Sequence, residues 1–266
     1  MPEGPECRRV YEGLAKETIS KQLVKVNVLG GRFLKKSPVG LTELNLPTLV
    51  VGGGVHGKFI WLEFEENQTM WITLGMSGYW SKERRSHSHI SLEFIDGTQL
   101  FFVDQRRFGT IKFANKIELD KKLQSLGIDP LNDRNLTMHS MLRQFEKVPN
   151  KTVAEALMNQ SLFAGIGNYI KCEILYRSRV SPHRLVKDLS DNEINLIWNW
   201  TKLIMDSSYA QGGASIRNYQ QVDGSYGSYV FEFEVYSQEI DPLGNRVVKE
   251  ITKDGRTTHW VPQLQI

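Results

Sequence analysis

The amino-acid sequence predicts an α+β fold in which two strand-rich segments flank a helical one. Between residues 22 and 113, short runs alternate apolar and polar residues, and turn residues separate the runs. From about residue 135 to residue 209 apolar residues recur at helical spacing, and alternation then returns. We therefore expect an N-terminal β-sandwich domain with flanking helices over residues 1–118, a linker over 119–134, a helical domain over 135–227 and a C-terminal β-hairpin over 228–266.

Composition places the chain among ordinary globular proteins. Its 266 residues are 40% hydrophobic and 24% charged, and the net charge of +3 gives only a mild indication of an anionic partner. No apolar run approaches the ~18 residues of a membrane-spanning helix, and the acids and prolines of the N-terminus are unlike a signal peptide. We expect an intracellular monomer that contacts no membrane.

The two cysteines, Cys7 and Cys172, are far apart in the sequence. They form no CxxC pair, no zinc cluster and no disulfide framework, so a reducing compartment is the default. We expect that the protein uses neither a metal nor a cofactor.

The first segment predicts one helix followed by strands. Residues 5–18 have a helical pattern with Val10, Tyr11 and Leu14 as an apolar stripe. Asp96-Gly97 is a hairpin turn between two alternating runs. The expected strands cover residues 22–29, 59–64, 69–74, 89–95, 100–103 and 110–113.

The later segments are separated by Gly and Pro residues. Residues 120–135 contain Gly127 and Pro130 and have the composition of a linker. Ser190 is expected to cap a helix, whose apolar face holds Ile194, Ile197, Trp198, Leu203 and Ile204. A Gly-rich loop at 212–227 precedes a new alternating run at 230–236.

The sequence Gly-Gly-Gly-Val-His-Gly-Lys at 52–58 fits two nucleotide-binding patterns, G-x-G-x-x-G and G-x-x-x-x-G-K. Both patterns need a helix next, but residues 59–64 are strand-like, and Phe59 stands where Ser or Thr would hold Mg²⁺. A P-loop or dinucleotide enzyme therefore remains only as a rival. The other interpretations are a plain turn between strands, or glycines that let Lys58 reach an active site.

Gly-Ile-Gly-Asn at 165–168 precedes a helical pattern. The free backbone N–H groups at the start of that helix could bind a DNA phosphate. The alternative is a connection between helices in which Gly supplies a positive φ.

Two loops carry side chains that could fill the gap left by an extruded nucleotide. They are Leu-Gly-Met-Ser-Gly at 74–78, with Met76, and Asp-Gln-Arg-Arg-Phe-Gly at 104–109, with Arg106 and Phe108. Ordinary packing under a sheet edge is the alternative. Arg256, at the tip of the C-terminal hairpin, is either a phosphate contact or a solvated charge.

The N-terminus could itself carry a nucleophile. Because Pro2 is small, Met1 would normally be removed, which leaves a secondary amine beside the carboxylates of Glu3 and Glu6. An α-amino group titrates near ~7.7–8.0, so roughly a tenth is neutral at pH 7. A neutral amine can attack carbon to form an iminium while a carboxylic acid supplies a proton. The alternative is a flexible Pro- and Gly-rich terminus.

Taken in order along the chain, these motifs resemble the formamidopyrimidine-DNA glycosylase/endonuclease VIII family. The resemblance rests on Pro-Glu-Gly-Pro-Glu at 2–6, His-Gly-Lys at 56–58, the two loops, Asn-Gln at 159–160, Gly-Ile-Gly-Asn at 165–168, Gly-Gly at 212–213 with Asp-Gly at 223–224, and Gly-Arg-Thr-Thr at 255–258. It implies that the helical segment is a helix–two-turns–helix DNA-binding domain with a base-capping loop.

The resemblance also implies roles for single residues. The catalytic group would comprise Pro2 as nucleophile at the sugar C1′, Glu3 as acid on the sugar ring oxygen, Glu6 in support, and Lys58. DNA would be bound through phosphate contacts of Lys58, Asn168 and Arg256, with Met76, Arg106 and Phe108 in the void.

One departure from the family pattern concerns its zinc finger. Zinc-bearing members end in Trp-Cys-Pro-x-Cys-Gln, whereas residues 260–265 here are Trp-Val-Pro-Gln-Leu-Gln, without thiolates for zinc. The chain is similar to the zincless-finger branch of endonuclease VIII-like proteins, which includes giant-virus members. We expect packing to hold the hairpin, with Val235, Val247, Val261 and Leu264 as candidates.

The implied activity is that of a bifunctional DNA glycosylase and abasic-site lyase acting by β,δ-elimination. The expected partner is damaged DNA, double- or single-stranded, with oxidised pyrimidines, hydantoins and formamidopyrimidines as substrates. The alternatives are a formamidopyrimidine/8-oxoguanine-type glycosylase, suggested by the Gly-rich loop at 212–227, and a damage-binding homologue without catalysis.

Overall fold

The computed structural model describes residues 1–214, 222 and 233–266, and it confirms the α+β class. Most of the expected base-capping loop at 212–227, including Asp223-Gly224, lies outside these residues. So does the first part of the alternating run at 230–236.

The chain divides into two compact units. The first contains Met1–Pro2, Glu6–Gln124 and the described residues 212–214 and 222. The second contains Glu3–Pro5, Ser125–Gln211 and residues 233–266. Within the described part of the chain, no helix is both long enough and apolar enough to cross a membrane.

The first unit contains an antiparallel sheet of eight strands. Helix α1 (Gly4–Thr18) buries Val10 and Leu14 fully, as its apolar stripe predicts. All six expected strands are confirmed to within two residues at each end, and two further strands, β2 and β5, accompany them. The strands are β1 (Gln22–Val28), β2 (Thr48–His56), β3 (Phe59–Phe64), β4 (Gln68–Thr73), β5 (Gly78–Ser81), β6 (Ser88–Phe94), β7 (Gln99–Asp104) and β8 (Thr110–Asn115).

The sheet order is β5-β7-β6-β1-β2-β3-β4-β8. Strands β1 and β2 share only the pairs Gln22–Leu49 and Leu23–Thr48, so the sheet consists of two four-stranded halves joined at a short seam. Side chains from both halves and from α1 form one buried cluster, which includes Leu23, Leu62 and Phe102. This shared core is the β-sandwich that the alternating pattern predicts.

The glycines at 52–54 belong to strand β2 and not to a phosphate-binding loop. Strand β3 follows Lys58 directly, so the P-loop and dinucleotide interpretations are wrong. The physical reason lies in Trp61, because a Cβ on Gly53 would lie 2.5 Å from its carbonyl oxygen and a Cβ on Gly54 would lie 2.3 Å from its ring. Only glycine lets β2 and β3 approach at these positions.

The expected linker at 119–134 is helical in its first part. Helix α2 (Lys116–Gln124) ends at Gln124, the last residue of the segment Glu6–Gln124 of the first unit, and Leu119 is fully buried. Farther on, Asp129 and Leu131 are buried in the second unit, where Asp129 accepts hydrogen bonds from two backbone N–H groups. The charged residues of α2 give this segment the composition of a linker, although the helix packs against the first unit through the buried side chain of Leu119.

Among its described residues, the second unit contains four α-helices, a short 3-10 helix (Val186–Asp188) and a two-stranded hairpin. Ser190 caps α6 as predicted, but Leu203 is 51% exposed and does not belong to the buried face of that helix. The elements are α3 (Met138–Phe145), α4 (Val153–Met158), α5 (Asn168–Arg177), α6 (Asp191–Ala210), β9 (Val248–Ile251) and β10 (Thr257–Trp260).

Apolar packing holds the hairpin segment, as the sequence predicts. Val235, Val247 and Val261 are buried in one cluster with Cys172 and Tyr176 of α5, and Leu264 packs against the cluster from its edge. Among the described residues, no three His, Cys, Asp or Glu side chains lie close enough together to hold a metal ion.

Candidate active site

The N-terminal segment is packed and buried, so the alternative of a flexible terminus does not hold. Pro2 is buried, and Glu6 has no exposed surface. In the first unit, Glu6 Oε1 accepts a hydrogen bond of 2.6 Å from the backbone N–H of Ala214. Gly213 has a φ of +90°, and a Cβ there would lie 2.9 Å from Glu6 Cγ. The start of the Gly-rich loop therefore fixes the Glu6 carboxylate.

Glu3 belongs to the second unit, where the first turn of α5 binds its carboxylate. Oε1 accepts a hydrogen bond from the backbone N–H of Tyr169 at 3.0 Å, and Oε2 accepts one from Ile170 at 3.3 Å. A Cβ on Gly167 would lie 2.2 Å from Glu3 Cδ, so this position has to be glycine. The positive end of the helix dipole also stabilises the negative charge of the carboxylate.

This contact corrects one expectation about Gly-Ile-Gly-Asn at 165–168. Two backbone N–H groups that we expected to bind a DNA phosphate instead bind Glu3. The alternative interpretation is partly confirmed, since Gly165 has a φ of +97° at the turn before α5. Its carbonyl oxygen also accepts a hydrogen bond of 2.9 Å from the backbone N–H of Gly4.

Lys58 lies in the tight turn that joins β2 to β3. His56 pairs with Phe59, so Gly57 and Lys58 form a two-residue hairpin loop, with Gly57 at a φ of +57°. The hydroxyl of Tyr11, on α1, donates a hydrogen bond of 2.7 Å to the carbonyl of Gly53 and anchors the hairpin within the first unit. The turn places Lys58 at the tip of the β2–β3 hairpin.

The two loops with Met76, Arg106 and Phe108 lie side by side in the first unit. Phe108 is 55% exposed, and the Arg106 guanidinium lies 5.5 Å from the centre of its ring. A Cβ on Gly75 would lie 2.6 Å from the backbone of Phe108, so glycine allows the loops to touch. The structure therefore places the two loops that carry these residues against each other, with Arg106 beside Phe108.

Asp104 joins these loops, and sequence reasoning placed it in the motif at 104–109 without giving it a role. Its side chain is buried, and Oδ1 accepts a hydrogen bond of 2.5 Å from the hydroxyl of Ser77. Its Oδ2 accepts a hydrogen bond of 2.7 Å from the backbone N–H of Gly109. The Ser77 oxygen accepts in turn from the backbone N–H of Arg106 at 2.9 Å. An acidic residue at the end of a buried strand was the available signal.

Asn168 and Arg256 lie in the second unit, at the start of α5 and in the hairpin turn. The Asn168 side chain donates a hydrogen bond of 2.8 Å to the carbonyl of Thr257. Its Oδ1 is buried and has no hydrogen-bond partner among the described residues. Arg256 is exposed, and its carbonyl accepts a hydrogen bond of 3.1 Å from the backbone N–H of Thr252. This hydrogen bond closes the hairpin turn that carries the Arg256 side chain.

A buried ion pair attaches the same turn to α5. The Lys171 ammonium is fully buried, 2.6 Å from Asp254 Oδ2, and donates a hydrogen bond of 2.7 Å to the hydroxyl of Thr258. Sequence reasoning missed this pair because a lysine within a helix is normally a solvated charge. The signal lay in the apolar residues on every side of it, Ile170, Cys172 and Ile174.

Glu173 makes a second attachment between α5 and the hairpin segment. It is fully buried and accepts hydrogen bonds of 2.8–3.1 Å from the backbone N–H groups of Glu234, Val235 and Tyr236. Burial raises the pKa of this carboxyl group. Burial also raises the pKa of the neighbouring Cys172 thiol to about 12, so this cysteine is not a nucleophile.

Comparison with known proteins places this geometry in one family. Three family models match: the formamidopyrimidine-DNA glycosylase N-terminal domain over residues 1–111, its H2TH domain over 126–220, and its C-terminal domain over 227–266. The formamidopyrimidine-DNA glycosylase of Listeria innocua is 31% identical over 279 residues, and that of Novosphingobium aromaticivorans is 30% identical over 271 residues. Each alignment covers 100% of this chain and 100% of the relative.

Solved structures show the same fold. The MutM (Fpg) protein from Thermus thermophilus is similar with a TM-score of 0.88 at 24% identity, over 99% of this chain and 98% of that one. A mutant of the Lactococcus lactis FPG in complex with Fapy-dG-containing DNA gives a TM-score of 0.87 at 23% identity, over 99% of both chains. Since the family models cover most of its length and the two relatives align over all of it, the chain belongs to the formamidopyrimidine-DNA glycosylase family of DNA-repair enzymes.

Proposed function

We propose that this chain is a bifunctional DNA glycosylase and abasic-site lyase that excises oxidised bases through a covalent intermediate on Pro2. The observation that carries the proposal is the position of Glu3. This buried carboxylate follows Pro2 in the sequence, and two backbone N–H groups of α5 hold it in place. A fixed carboxyl group supports acid catalysis because proton transfer requires defined geometry.

The first stage forms the covalent bond. Removal of Met1 makes the Pro2 nitrogen a secondary amine, whose lone pair attacks C1′ of the damaged nucleotide. The bond from C1′ to the base breaks, and the base leaves with the electron pair and takes up a proton. The Glu3 carboxylate takes up the proton that the new ammonium loses and delivers it to O4′, and the C1′–O4′ bond opens. The nitrogen lone pair then completes a C=N⁺ iminium.

The second stage cleaves the strand. The iminium withdraws electrons and acidifies the C2′ proton, and loss of this proton breaks the C3′–O3′ bond by β-elimination. A second elimination breaks the C5′–O5′ bond, and water then hydrolyses the iminium and releases Pro2. Base excision and strand cleavage thus use one intermediate, and no redox partner takes part.

Several side chains would bind the DNA during these steps. Lys58, at the tip of the β2–β3 hairpin, together with Asn168 and the exposed Arg256, would contact phosphates around the lesion. Met76, Arg106 and Phe108 would fill the gap left by the flipped nucleotide and offset part of the unstacking cost. Glu6 would support the N-terminus through its fixed carboxylate.

For the substrate we propose oxidised pyrimidines, hydantoins and formamidopyrimidines in double- or single-stranded DNA, bound by a monomer of the zincless-finger branch. The finger supports this branch, because α5 attaches it through apolar packing, an ion pair and hydrogen bonds. The second candidate is a formamidopyrimidine/8-oxoguanine-type specificity. The names of the bacterial relatives favour it.

Trapping with borohydride tests the chemistry. Reduction of the iminium should give a stable covalent adduct between protein and DNA. The Pro2→Gly variant should lose most of this adduct, because it has no secondary amine. Trapping of Pro2→Gly at the wild-type rate would remove Pro2 as the nucleophile, and mass spectrometry of the trapped peptide would identify the residue used.

Two further assays separate the alternatives. Incision of an oligonucleotide with one abasic site distinguishes an enzyme from a damage-binding homologue, which would bind without nicking. A panel of oxidised pyrimidines, hydantoins, formamidopyrimidines and 8-oxoguanine, in both strand contexts, ranks the substrates. Preferential excision of 8-oxoguanine would favour the second candidate.

A further inference from the structure

The first unit has a pocket of about 640 Å³ that lies outside the site described above. It lies on the face of β3, β4 and β8 that is turned away from the core, and residues 32–39 form one of its walls. The volume falls within the ~300–1,000 Å³ of small-molecule sites. The pocket is therefore large enough for one nucleotide.

Aromatic rings form the floor of this pocket. Phe59 and Trp71 meet edge to face with ring centres 5.4 Å apart, and both lie outside the buried cluster of the sandwich. The Lys112 ammonium lies 4.4 Å from the Trp71 ring centre, and the Lys122 ammonium lies 5.8 Å from that of Phe59. Aromatic faces with cations beside them are typical of sites that stack nucleic-acid bases.

The charge of the lining favours an anionic ligand. Of the fourteen described residues that line the pocket, none is acidic and five are cationic, namely Arg32, Lys35, Lys36, Lys112 and Lys122. Glu118, outside the lining, lies 3.0 Å from Lys112 and offsets part of its charge. Lys35 and Lys36 are exposed at the rim. An aromatic floor with a cationic rim matches a base with its phosphate.

The pocket borders the loops proposed to enter the DNA. Thr73 precedes the loop at 74–78, and Thr110 follows the loop at 104–109, and both threonines line the pocket. The Arg32 guanidinium donates a hydrogen bond to the carbonyl of Gly109, the last residue of the second loop. A DNA strand whose base stack is opened by these loops would lie next to the aromatic floor of the pocket.

We propose that this pocket binds one unpaired nucleotide of the DNA strand beside the lesion. The base stacks on Trp71, which the buried Phe59 supports edge to face, after the Lys112 side chain moves off the ring, and the phosphate contacts Lys35 and Lys36. The proposal rests on the proposed function for its choice of DNA as ligand. Its test uses undamaged DNA and therefore does not depend on catalysis.

The experiment measures binding of the full chain to a fluorescently labelled, undamaged single-stranded oligonucleotide. Trp71→Leu should weaken binding by about tenfold, since it removes one stacking surface. Trp71→Phe should keep most of the affinity, because a ring remains. Lys35→Ala/Lys36→Ala should weaken binding and lower the slope of log affinity against log salt by about 0.7 for each phosphate that is no longer neutralised.

The matched control is Lys25→Ala/Lys121→Ala, which removes two exposed lysines of the same unit that do not line the pocket. This control should keep its salt slope. An oligonucleotide with 5-iodouracil should crosslink on irradiation to the peptide that contains Trp71. Unchanged affinity in both Trp71→Leu and the Lys35/Lys36 double variant would overturn the proposal, as would crosslinking to other peptides only.

Two comparisons separate this proposal from its rivals. A deoxynucleoside monophosphate that competes as strongly as the oligonucleotide would assign the pocket to free nucleotides instead. Incision of a fully paired abasic duplex is measured with the same preparations. If the wild-type chain fails to incise, the proposed function is wrong, and the binding data alone decide whether the pocket binds a nucleotide. If incision succeeds and the pocket variants bind the oligonucleotide as tightly as the wild type does, only the pocket assignment is wrong.

Discussion

The Glu3 carboxylate accepts a hydrogen bond of 3.0 Å from the backbone N–H of Tyr169, at the first turn of α5. A helix N-terminus of this kind is a general anion site, and here a side chain of the protein itself occupies it. The contact joins the N-terminal segment to a helix that lies 166 residues farther along the chain. The direction in which Glu3 points is therefore set by α5.

Substitution at Gly167 tests whether the placement of Glu3 matters for catalysis. A Cβ in Gly167→Ala would lie 2.2–2.5 Å from the Glu3 carboxyl atoms and would displace them. Because general acids contribute ~10²–10⁴-fold, base excision should fall by about 10²-fold while cleavage at abasic sites partly survives. Single-turnover kinetics on the two substrates measure both steps.

The control for this variant is Gly52→Ala, because a Cβ on Gly52 would meet nothing within 4 Å. It should leave both rates unchanged. Base excision by Gly167→Ala at the wild-type rate would contradict an acid role for Glu3 in its observed position.

Asp104 should matter most when the lesion lies in a duplex. Asparagine has a single side-chain oxygen, so Asp104→Asn cannot accept from both the Ser77 hydroxyl and the backbone N–H of Gly109, and the network that joins the two loops is weakened. We expect about a tenfold loss of incision on duplex substrates, which corresponds to ~1.4 kcal/mol. Single-stranded substrates leave no void to fill and should lose less.

The measurement is the ratio of incision rates on duplex and single-stranded substrates. Asp96→Asn is the control, since Asp96 lies in the exposed β6–β7 turn and its contacts are with Thr98 and Lys21, outside the two loops. An equal loss on both substrates would show that Asp104 acts on general stability and not on the loops.

Breaking the ion pair between Lys171 and Asp254 should strongly destabilise the second unit, because both side chains are buried. Lys171→Met leaves a carboxylate buried without its cation, which costs ~3–5 kcal/mol of unfolding free energy. Urea denaturation followed by circular dichroism measures this loss. The double variant Lys171→Met/Asp254→Asn should recover part of the loss, because it removes the uncompensated charge.

Lys253→Met is the matched control, since Lys253 is the exposed neighbour of Asp254 in the same turn. Its effect should stay within ~0.5 kcal/mol. Equal losses of unfolding free energy in Lys171→Met and Lys253→Met would contradict the prediction, because the buried pair would then matter no more than an exposed lysine of the same turn.

Stability should fall as the pH drops below neutrality because of His259. Burial, with smaller contributions from Lys249 and Lys171, lowers the pKa of this histidine from its usual ~6.5. The unfolded chain then binds the proton more readily than the folded one. The stabilisation is complete above ~6.5 and decreases as the pH falls from there toward the depressed folded pKa.

His259→Phe keeps a ring against Tyr236, whose ring centre lies 5.0 Å from that of His259, and removes the titrating group. The unfolding free energy of this variant should depend less on pH between about 5 and 7 than that of the wild type. His139→Gln, on α3, removes a histidine outside this cluster and should leave the slope unaltered. A wild-type slope in His259→Phe would assign the pH dependence to other groups.

Local sequence patterns predicted most of the elements. Alternation located six of the eight strands of the sandwich, and the Ser190 cap located the start of α6. Strand β2 was missed because its glycines have low strand propensity, and contact with Trp61 overrides that propensity. Residues 119–124 have the composition of a linker because polar side chains hide a helix with one buried leucine.

The contacts of the candidate site were less accessible to sequence reasoning. Motifs named Pro2, Glu3 and the loop residues, but nothing local shows that Glu3 would take the N–H groups assigned to a phosphate. Lys171 and Asp254 are 83 residues apart, and each resembles a solvated charge until the fold buries both. Such pairings are set by tertiary packing, which spacing along the chain does not encode.

Helix α5 is buried along eight consecutive residues, from Tyr169 to Tyr176. It therefore has no outward side on which replacements are harmless, unlike an ordinary amphipathic helix. Saturation mutagenesis should return an almost unbroken block of intolerant positions there, with no three-to-four-residue rhythm. A variant library meant to improve the protein is better directed elsewhere. Random substitutions in this helix would disturb both the Glu3 carboxylate at its N-terminus and the β9–β10 hairpin packed against it.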